Sequence, residues 1–365
     1  DAVSYSACAT ACAKASAWQL GLQYLLTASE KKLRPGPSSF SYVARQMGHH
    51  GAWQEALQLL SLLQDNDQGV KFEVWCSVMW AMDVSGQRLP SLESTGRIVM
   101  ARGRKEVSLL EFVITRVPRG DLSRLLMEMR RFASEREWLK VAGGSKAHLL
   151  EAVLRPGDRV LELGCFVGYS ALLMAQRLRK LGGGGKIISC ELNAVSALVA
   201  RELIHWAKAE EVQVQVGLAT DWIASKRLGE ADVVILDHRG SRYHEDLASL
   251  EPCIRKNTRI LADNVLSPGA PLFLNFVDGR YAVAIHEVSE FLRERKDWVV
   301  TCHPLDLELP VKPASREFIS LSVEIDRLCW RSSSGSSGSV RAQDWLDLQD
   351  RLSPALNDWA RRIVA

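Results

Sequence analysis

The sequence predicts an α/β fold: a doubly wound, mainly parallel sheet preceded by a small all-α domain of helical-hairpin repeats. Two observations carry this. Between about residues 106 and 325, short apolar segments ("RVLELG", "KIISCE", "VQVQVG", "DVVILD", "TRILAD") alternate with amphipathic stretches such as "YSALLMAQRLRKL" and "AVSALVARELIHWA". Strand-like and helix-like segments in alternation imply βαβ units and a sheet covered on both faces. Upstream, "SYSACATACAKASAWQLGLQYLL" from Ser4 and "SFSYVARQMGHHGAWQEALQLLS" from Ser39 recur at an offset of 35 residues. A fixed period in this range signals helix–turn–helix units that bury their apolar faces against one another.

In the repeat, Trp18 pairs with Trp53, Leu22 with Leu57, Gln23 with Gln58 and Tyr5 with Phe40. A weaker third copy sets Trp75 against Phe40, Met82 against Met47 and Gly86 against Gly51. These residues resemble the pentatricopeptide repeat family, whose helical hairpins bind single-stranded RNA. In that family a polar residue early in the first helix helps read the base. The matching positions here are Ala7, Tyr42 and Ser77, and only Ser77 is small and polar. The resemblance therefore implies a weak single-stranded RNA or protein contact at most.

Five pieces follow along the chain: repeats at 1–88, a linker at 89–105, the α/β domain at 106–325, a Ser/Gly-rich linker at 326–339 and an amphipathic helix at 340–365. The first linker carries Pro90, Gly96, Gly103 and a basic cluster, breakers plus charge that read as a solvated connection. The last piece spaces Trp345, Leu348, Leu352, Leu356, Trp359 and Ile363 by three and four residues, a helical stripe that Pro354 is expected to break or kink.

Bulk composition narrows the class. The 365 residues are 47% hydrophobic and 24% charged with net charge +3, so nothing calls for nucleic acid or an anionic surface. A length above the roughly 250–300 residues of one core favours two domains. No apolar run approaches the roughly 20 residues of a membrane span, no signal peptide is visible at the first residues, and no membrane partner is expected. The eight cysteines form no C-x-x-C pair, which fits a reducing intracellular compartment better than a disulfide or zinc framework. A monomer is expected.

Ligands of open parallel sheets bind beyond the carboxyl ends of the strands. The first strand ends in "ELGCFVGYS", with Glu162, Gly164, Gly168 and Ser170. The second ends at Glu191, an acid placed to accept from both hydroxyls of a ribose. A dinucleotide diphosphate wants G-x-G-x-x-G. This loop is G-x-x-x-G, with Phe166 and Val167 filling that space; S-adenosylmethionine carries no phosphate and tolerates the bulk. The fourth strand ends at Asp237 and the fifth at Asp263 and Asn264. If those strands are neighbours, two carboxylates and an amide oxygen converge, a set suited to Mg²⁺.

At this point a family is recognisable. "VLELGCFVGYSALLMAQRL", "LDHRGSRY", "LADNVLSPGAP" and the upstream "RVPRGDLSRLLMEMRRFASEREWLKVAGGSKAHLLEAV" resemble catechol O-methyltransferases, class I S-adenosylmethionine-dependent enzymes. The resemblance runs from about Leu109 to Val323. It implies a Rossmann-like sheet of seven strands and Mg²⁺-dependent methyl transfer to a hydroxyl of a catechol-like small molecule. It implies that Glu162, Gly164, Phe166, Gly168, Ser170, Glu191 and Leu192 surround the cofactor's amino acid and ribose, with the Ala142 amide on its carboxylate. Ala219, Thr220 and His238 would lie near its adenine, and Asp237 with Asp263 and Asn264 would hold the metal. Glu308 in "PLDLELP" is the first candidate to hydrogen-bond the catechol, with Asp306 second.

Two departures matter. Where the family has a tryptophan and a lysine after the metal aspartate, this chain has Arg239 and Gly240. The lysine is the family's general base. Its loss should slow transfer by the roughly 10²–10⁴-fold that a positioned base contributes. Arg239 stays protonated and cannot replace it, though it can stabilise a catecholate. Lys140, where the family has methionine, is the alternative base. Loss of the tryptophan implies a more open or more anion-tolerant pocket. Two other readings stand beside the leading one: a relative acting on another vicinal-diol phenol, and a vestigial methyltransferase fold serving as an RNA- or protein-binding scaffold.

Overall fold

A computed structural model describes residues 1–65, 71–90, 104–225, 229–292, 295–333 and 340–364. The chain folds as two compact units. Unit 1 comprises Asp1–Ser108, Cys190–Val199 and Gln215–Ser225; unit 2 comprises Leu109–Ser189, Ala200–Val214 and Lys226–Ala365.

Unit 1 is built on α1 (Ala2–Lys14), α2 (Trp18–Glu30), α3 (Pro37–His49), α4 (Trp53–Asp65) and α5 (Phe72–Val84). The helices α1, α3 and α5 start 35 residues apart, as do α2 and α4, so the sequence period is the period of the hairpins. Asp1 caps α1 by accepting from the Ser4 amide at 2.8 Å, and Pro37 opens α3, where its missing N–H costs nothing. The fifth helix buries ten of its thirteen residues, Trp75 and Trp80 among them, and is the apolar centre of the unit. Ser77, the small polar residue that the repeat pattern offers for base reading, is buried there and donates to Glu73 O at 2.9 Å. Its hydroxyl is engaged by its own helix.

Chain order continues with α6 (Arg104–Ile114), α7 (Leu122–Glu135), α8 (Ser145–Ala152), β1 (Arg159–Leu163), α9 (Tyr169–Lys180), β2 (Lys186–Glu191), α10 (Ala194–Trp206), β3 (Val212–Val216), α11 (Ala219–Ala224), β4 (Ala231–Leu236), α12 (Tyr243–Leu250), β5 (Ile254–Ala262), α13 (Pro271–Val277), β6 (Tyr281–Ser289), β7 (Lys296–Pro304), α14 (Arg316–Ser333) and α15 (Ala342–Val364). The seven strands form one sheet in the order β3-β2-β1-β4-β5-β7-β6. Parallel pairing joins β4 to β1 and β5; β7 runs antiparallel to both β5 and β6. The apolar strands β1 and β4 are buried along nearly their whole length, as parallel strands covered on both faces must be.

Three expectations change at the ends. Helix α14 extends to Ser333, so the segment from 326 to 333 is helix rather than linker; 334–339 lie outside the described residues. Arg104 and Lys105 begin α6, and 91–103 of the expected first linker are likewise outside. Helix α15 continues through Pro354 as one element, because its stripe of Leu348, Leu352, Leu356 and Trp359 is buried on unit 2 and outweighs one lost backbone bond. Among the described residues, no helix is long and apolar enough to cross a membrane.

Candidate active site

Register places the acids. Leu236 of β4 faces Ala262 of β5, so Asp237 and Asp263, one residue further, emerge side by side at the carboxyl edge. The Asp237 amide donates to Leu163 O and the Asp263 amide to Leu236 O, each at 2.9 Å. Gly164 is required beside them: its φ is +99°, and a Cβ there would lie 2.4 Å from the Asp237 carbonyl oxygen. Asn264 takes a left-handed conformation (φ 57°), donates its amide to Asp263 Oδ1 at 2.7 Å and its Nδ2 to Asp297 at 2.7 Å. With its nitrogen engaged, the side-chain amide offers its oxygen as a ligand.

Electrostatics at this edge are severe. Burial, reinforced by the neighbouring Asp263 carboxylate, pushes the Asp237 carboxyl well above its usual range. Burial also raises Asp263, to about 6, although Lys146 opposes the shift. The buried Lys146 ammonium lies 2.8 Å from Asp263, 3.1 Å from Asp297 and 3.2 Å from Glu290. Burial works against its charge, but these three carboxylates hold it above the ordinary ammonium range. Asp297, fully buried, also accepts from the Leu266, Ser267 and Trp298 amides at 2.7–3.2 Å, which fixes the loop after Asn264. Tyr243 donates its hydroxyl to Asp263 O at 3.1 Å.

These groups open into a cavity of about 520 Å³ in unit 2. It brings together Lys140, Ala142, Asp237, His238, Arg239, Asp263 and Asn264 with Trp138, Phe291 and Trp345. His238 is committed to Asp246 (Nε2 to Oδ2, 2.6 Å) and packs on Tyr243, a satisfied residue rather than a base. Ser170 is buried near the foot of the site, beside Asp237 and Asp263. Glu162 is buried in β1 and accepts from Ser189 Oγ. Gly168 (φ +82°) ends the turn that Phe166 (φ +48°) enters, and α9 begins at the next residue.

The remaining expected cofactor residues belong to unit 1. Glu191 ends β2 and accepts from the Asn193 amide at 2.8 Å; Leu192 beside it is exposed. Ala219 and Thr220 open the short α11, half-exposed. Asp221, the next residue, is buried and accepts from Arg45 at 2.6 and 3.0 Å, and the Val216 amide at the end of β3 donates to Asp83 at 2.8 Å.

Glu308 is corrected. In the β6–β7 hairpin, Ser289 faces Lys296 and Tyr281 faces Pro304, while Ala262 faces Val300. The site therefore adjoins the Ser289–Lys296 end. Asp306 and Glu308 follow the other end, about 25 Å along the strands, in a loop tied to Arg280. Among the described residues, Glu290 lines the cavity beside Asp237 and Asp263. It, Lys146 and Asp297 escaped the sequence reading. The only signal for Glu290 was its place just before the turn that returns the chain into β7.

The Gly240 departure acquires a structural cause. A Cβ at Gly240 would meet Gly269 O at 2.4 Å. The backbone of the next loop occupies the place where a side chain would start.

A family model described as O-methyltransferase matches residues 119–294. Mouse catechol O-methyltransferase is 34% identical over 203 residues, covering 53% of this chain and 76% of the relative. The chain belongs to the catechol O-methyltransferase family. Catechol O-methyltransferase B of Danio rerio is also 34% identical, over 218 residues, 57% of this chain and 78% of its own length. A solved O-methyltransferase from Bacillus cereus, in complex with SAH, aligns with a TM-score of 0.43 at 18% identity over 55% of this chain and 97% of its own.

Proposed function

We propose that this chain transfers a methyl group from S-adenosylmethionine to a hydroxyl of a catechol-like small molecule, with Mg²⁺ held by Asp237, Asp263 and Asn264. One observation carries the reading: the carboxylates of half-buried Asp237 and buried Asp263 and a side-chain amide oxygen stand side by side at parallel strand ends, on the wall of a cavity large enough for a phenol. The donor set fits the ion. It is all oxygen, and the two acids whose proximity and burial favour a proton are stabilised equally well by a divalent cation. When bound, the cofactor supplies an electrophilic methyl group and the cation supplies charge to favour an ionised acceptor hydroxyl.

The chain's own residues position and polarise. Lys146 keeps Asp263 ionised and fixed, Asp297 turns Asn264 so that its oxygen faces outward, and Tyr243 holds the backbone beneath them. Trp138, Phe291 and Trp345 give an aromatic ring apolar walls, and near-attack alignment supplies much of the acceleration. Glu162, Gly164 and Ser170 stand at positions where the family resemblance puts the cofactor. The phenolic proton would pass to water in the cavity that Lys140 lines. Arg239 stabilises the anion without accepting that proton.

The blocked Gly240 favours a second reading, a vestigial fold that binds cofactor without turnover. Labelled S-adenosylmethionine, catechol and the full chain, with Mg²⁺ and with EDTA, separate the two. Metal-dependent product that is lost in Asp263→Ala supports the enzyme. Calorimetric cofactor binding with no product between pH 7 and about pH 10, where catechol ionises unaided, leaves the scaffold.

A further inference from the structure

The acceptor side of the cavity is rebuilt by elements beyond the stretch that the family model matches. Cys329 and Ser332 of α14 and Trp345 of α15 line the cavity that holds Asp237 and Asp263. Helix α15 is anchored rather than draped. Leu348, Leu352 and Leu356 are buried, Leu352 presses on Gly269 so that a Cβ there would meet it at 2.3 Å, and Gln349 donates to Leu266 O at 3.1 Å. Trp345 lies one turn before these anchors. Asp326 of α14 holds the Arg239 guanidinium at 3.1 Å and also accepts from Ser241 Oγ at 3.0 Å.

Charge on this wall is unbalanced. Glu290 is taken by Lys146 and Arg239 by Asp326. Lys140 and Arg295 also line the cavity, and among the described residues neither has a carboxylate within ion-pair distance; Arg295 reaches only the neutral Gln349 amide, at 3.4 Å. A cation held by Asp237 and Asp263 would offset the acids that remain. An acceptor carrying an ammonium would meet these two cations, and one carrying an anion would be drawn to them.

We infer that the acceptor is an ortho-diphenol bearing a carboxylate or similar anionic substituent, its ring against Trp345 and its charge facing Lys140 and Arg295. This rests on the methyl-transfer reading for where the diphenol sits, and on the α14–α15 wall for the rest.

The test uses the full chain with S-adenosylmethionine and Mg²⁺ and three acceptors that share the diphenol: protocatechuate, catechol and dopamine. The expected kcat/KM order is protocatechuate, catechol, dopamine, with about tenfold or more between first and last, as one charge pair in a partly solvated site supports. In Arg295→Glu and Lys140→Glu the ratio falls or inverts; a general loss from Lys140 cancels because only the ratio is read. Calorimetry of protocatechuate and dopamine with the chain, Mg²⁺ and S-adenosylhomocysteine should give the same order without turnover. Equal or reversed affinities, or dopamine preferred while catechol is methylated, overturn the inference. Tighter protocatechuate binding with no product from any acceptor leaves the anion site standing and removes the methyl-transfer reading instead.

Discussion

Gly240 shows how much one missing side chain can mean. The resemblance puts the family's base at this position, so the simplest repair under the proposed methyl-transfer reading would be Gly240→Lys. The structure argues against it: the first carbon of any side chain would lie 2.4 Å from the Gly269 carbonyl oxygen. Forcing it in should shift the two loops apart and cost about 1–3 kcal/mol. The expected result of Gly240→Lys is a lower urea midpoint and no gain in methyl transfer. A variant that gained activity at unchanged stability would show that the loops can part freely. Neighbouring positions divide by what could be seen locally. Asp237, Asp263 and Asn264 were legible because a polar residue ending an apolar strand needs a partner. Lys146 was not, because nothing in "GGSKAHLL" marks a lysine that will be buried among three acids.

At the scale of elements, the contact between α3 and the start of α11 is the most exacting in unit 1. Asp221 is buried, and Arg45 grips both its oxygens while His49 lies 3.5 Å away. Burial alone would raise this carboxyl, but the His49 and Arg45 bonds outweigh it and hold it below the ordinary carboxylate range. Asp221→Ala should destabilise unit 1 by about 1–3 kcal/mol, since Arg45 is partly exposed and can rehydrate. The pH dependence has a definite sign. The folded carboxyl titrates below the unfolded one, so as pH falls the unfolded chain takes up its proton first. The contribution is whole above about pH 4 and drains away as pH drops through the folded value. The gap between wild type and Asp221→Ala, read from urea midpoints, should therefore narrow at acid pH and stay constant near neutrality. A gap that widened on acidification would contradict the pairing. The hairpins themselves were readable, because a 35-residue period repeats in sequence what repeats in space. This ion pair joins positions 176 residues apart, and no local pattern announces it.

Across the whole molecule, each unit carries a buried thiol that can report on it. Burial pushes Cys76 in unit 1 up to about 12 and raises Cys302 in unit 2 as well. A thiol so far from its thiolate form is a poor nucleophile. Cys8, by contrast, is exposed. Alkylation of the native chain, followed by mass spectrometry, should modify Cys8 first and leave Cys76 and Cys302 untouched until urea opens their units. Early loss of Cys302 protection would contradict the packing of β7.

What the sequence determined by itself is what repeats or ends within a few residues: the hairpin period, the strand–helix alternation, the glycine turn after β1 and the acids that stop β4 and β5. Those patterns follow from backbone geometry and the cost of burying polar groups, both local. Tertiary structure alone decided which acid joins the site, since the β6–β7 register brings Glu290 to the edge and carries Glu308 to the far end. It alone made α15 a wall of the cavity, closed Gly240 to any side chain and left Lys140 and Arg295 with no carboxylate within ion-pair distance among the described residues. Each of these depends on which distant backbones come within a few ångströms, and strand register and helix docking are set by the sum of the core's packing rather than by the residues at the site.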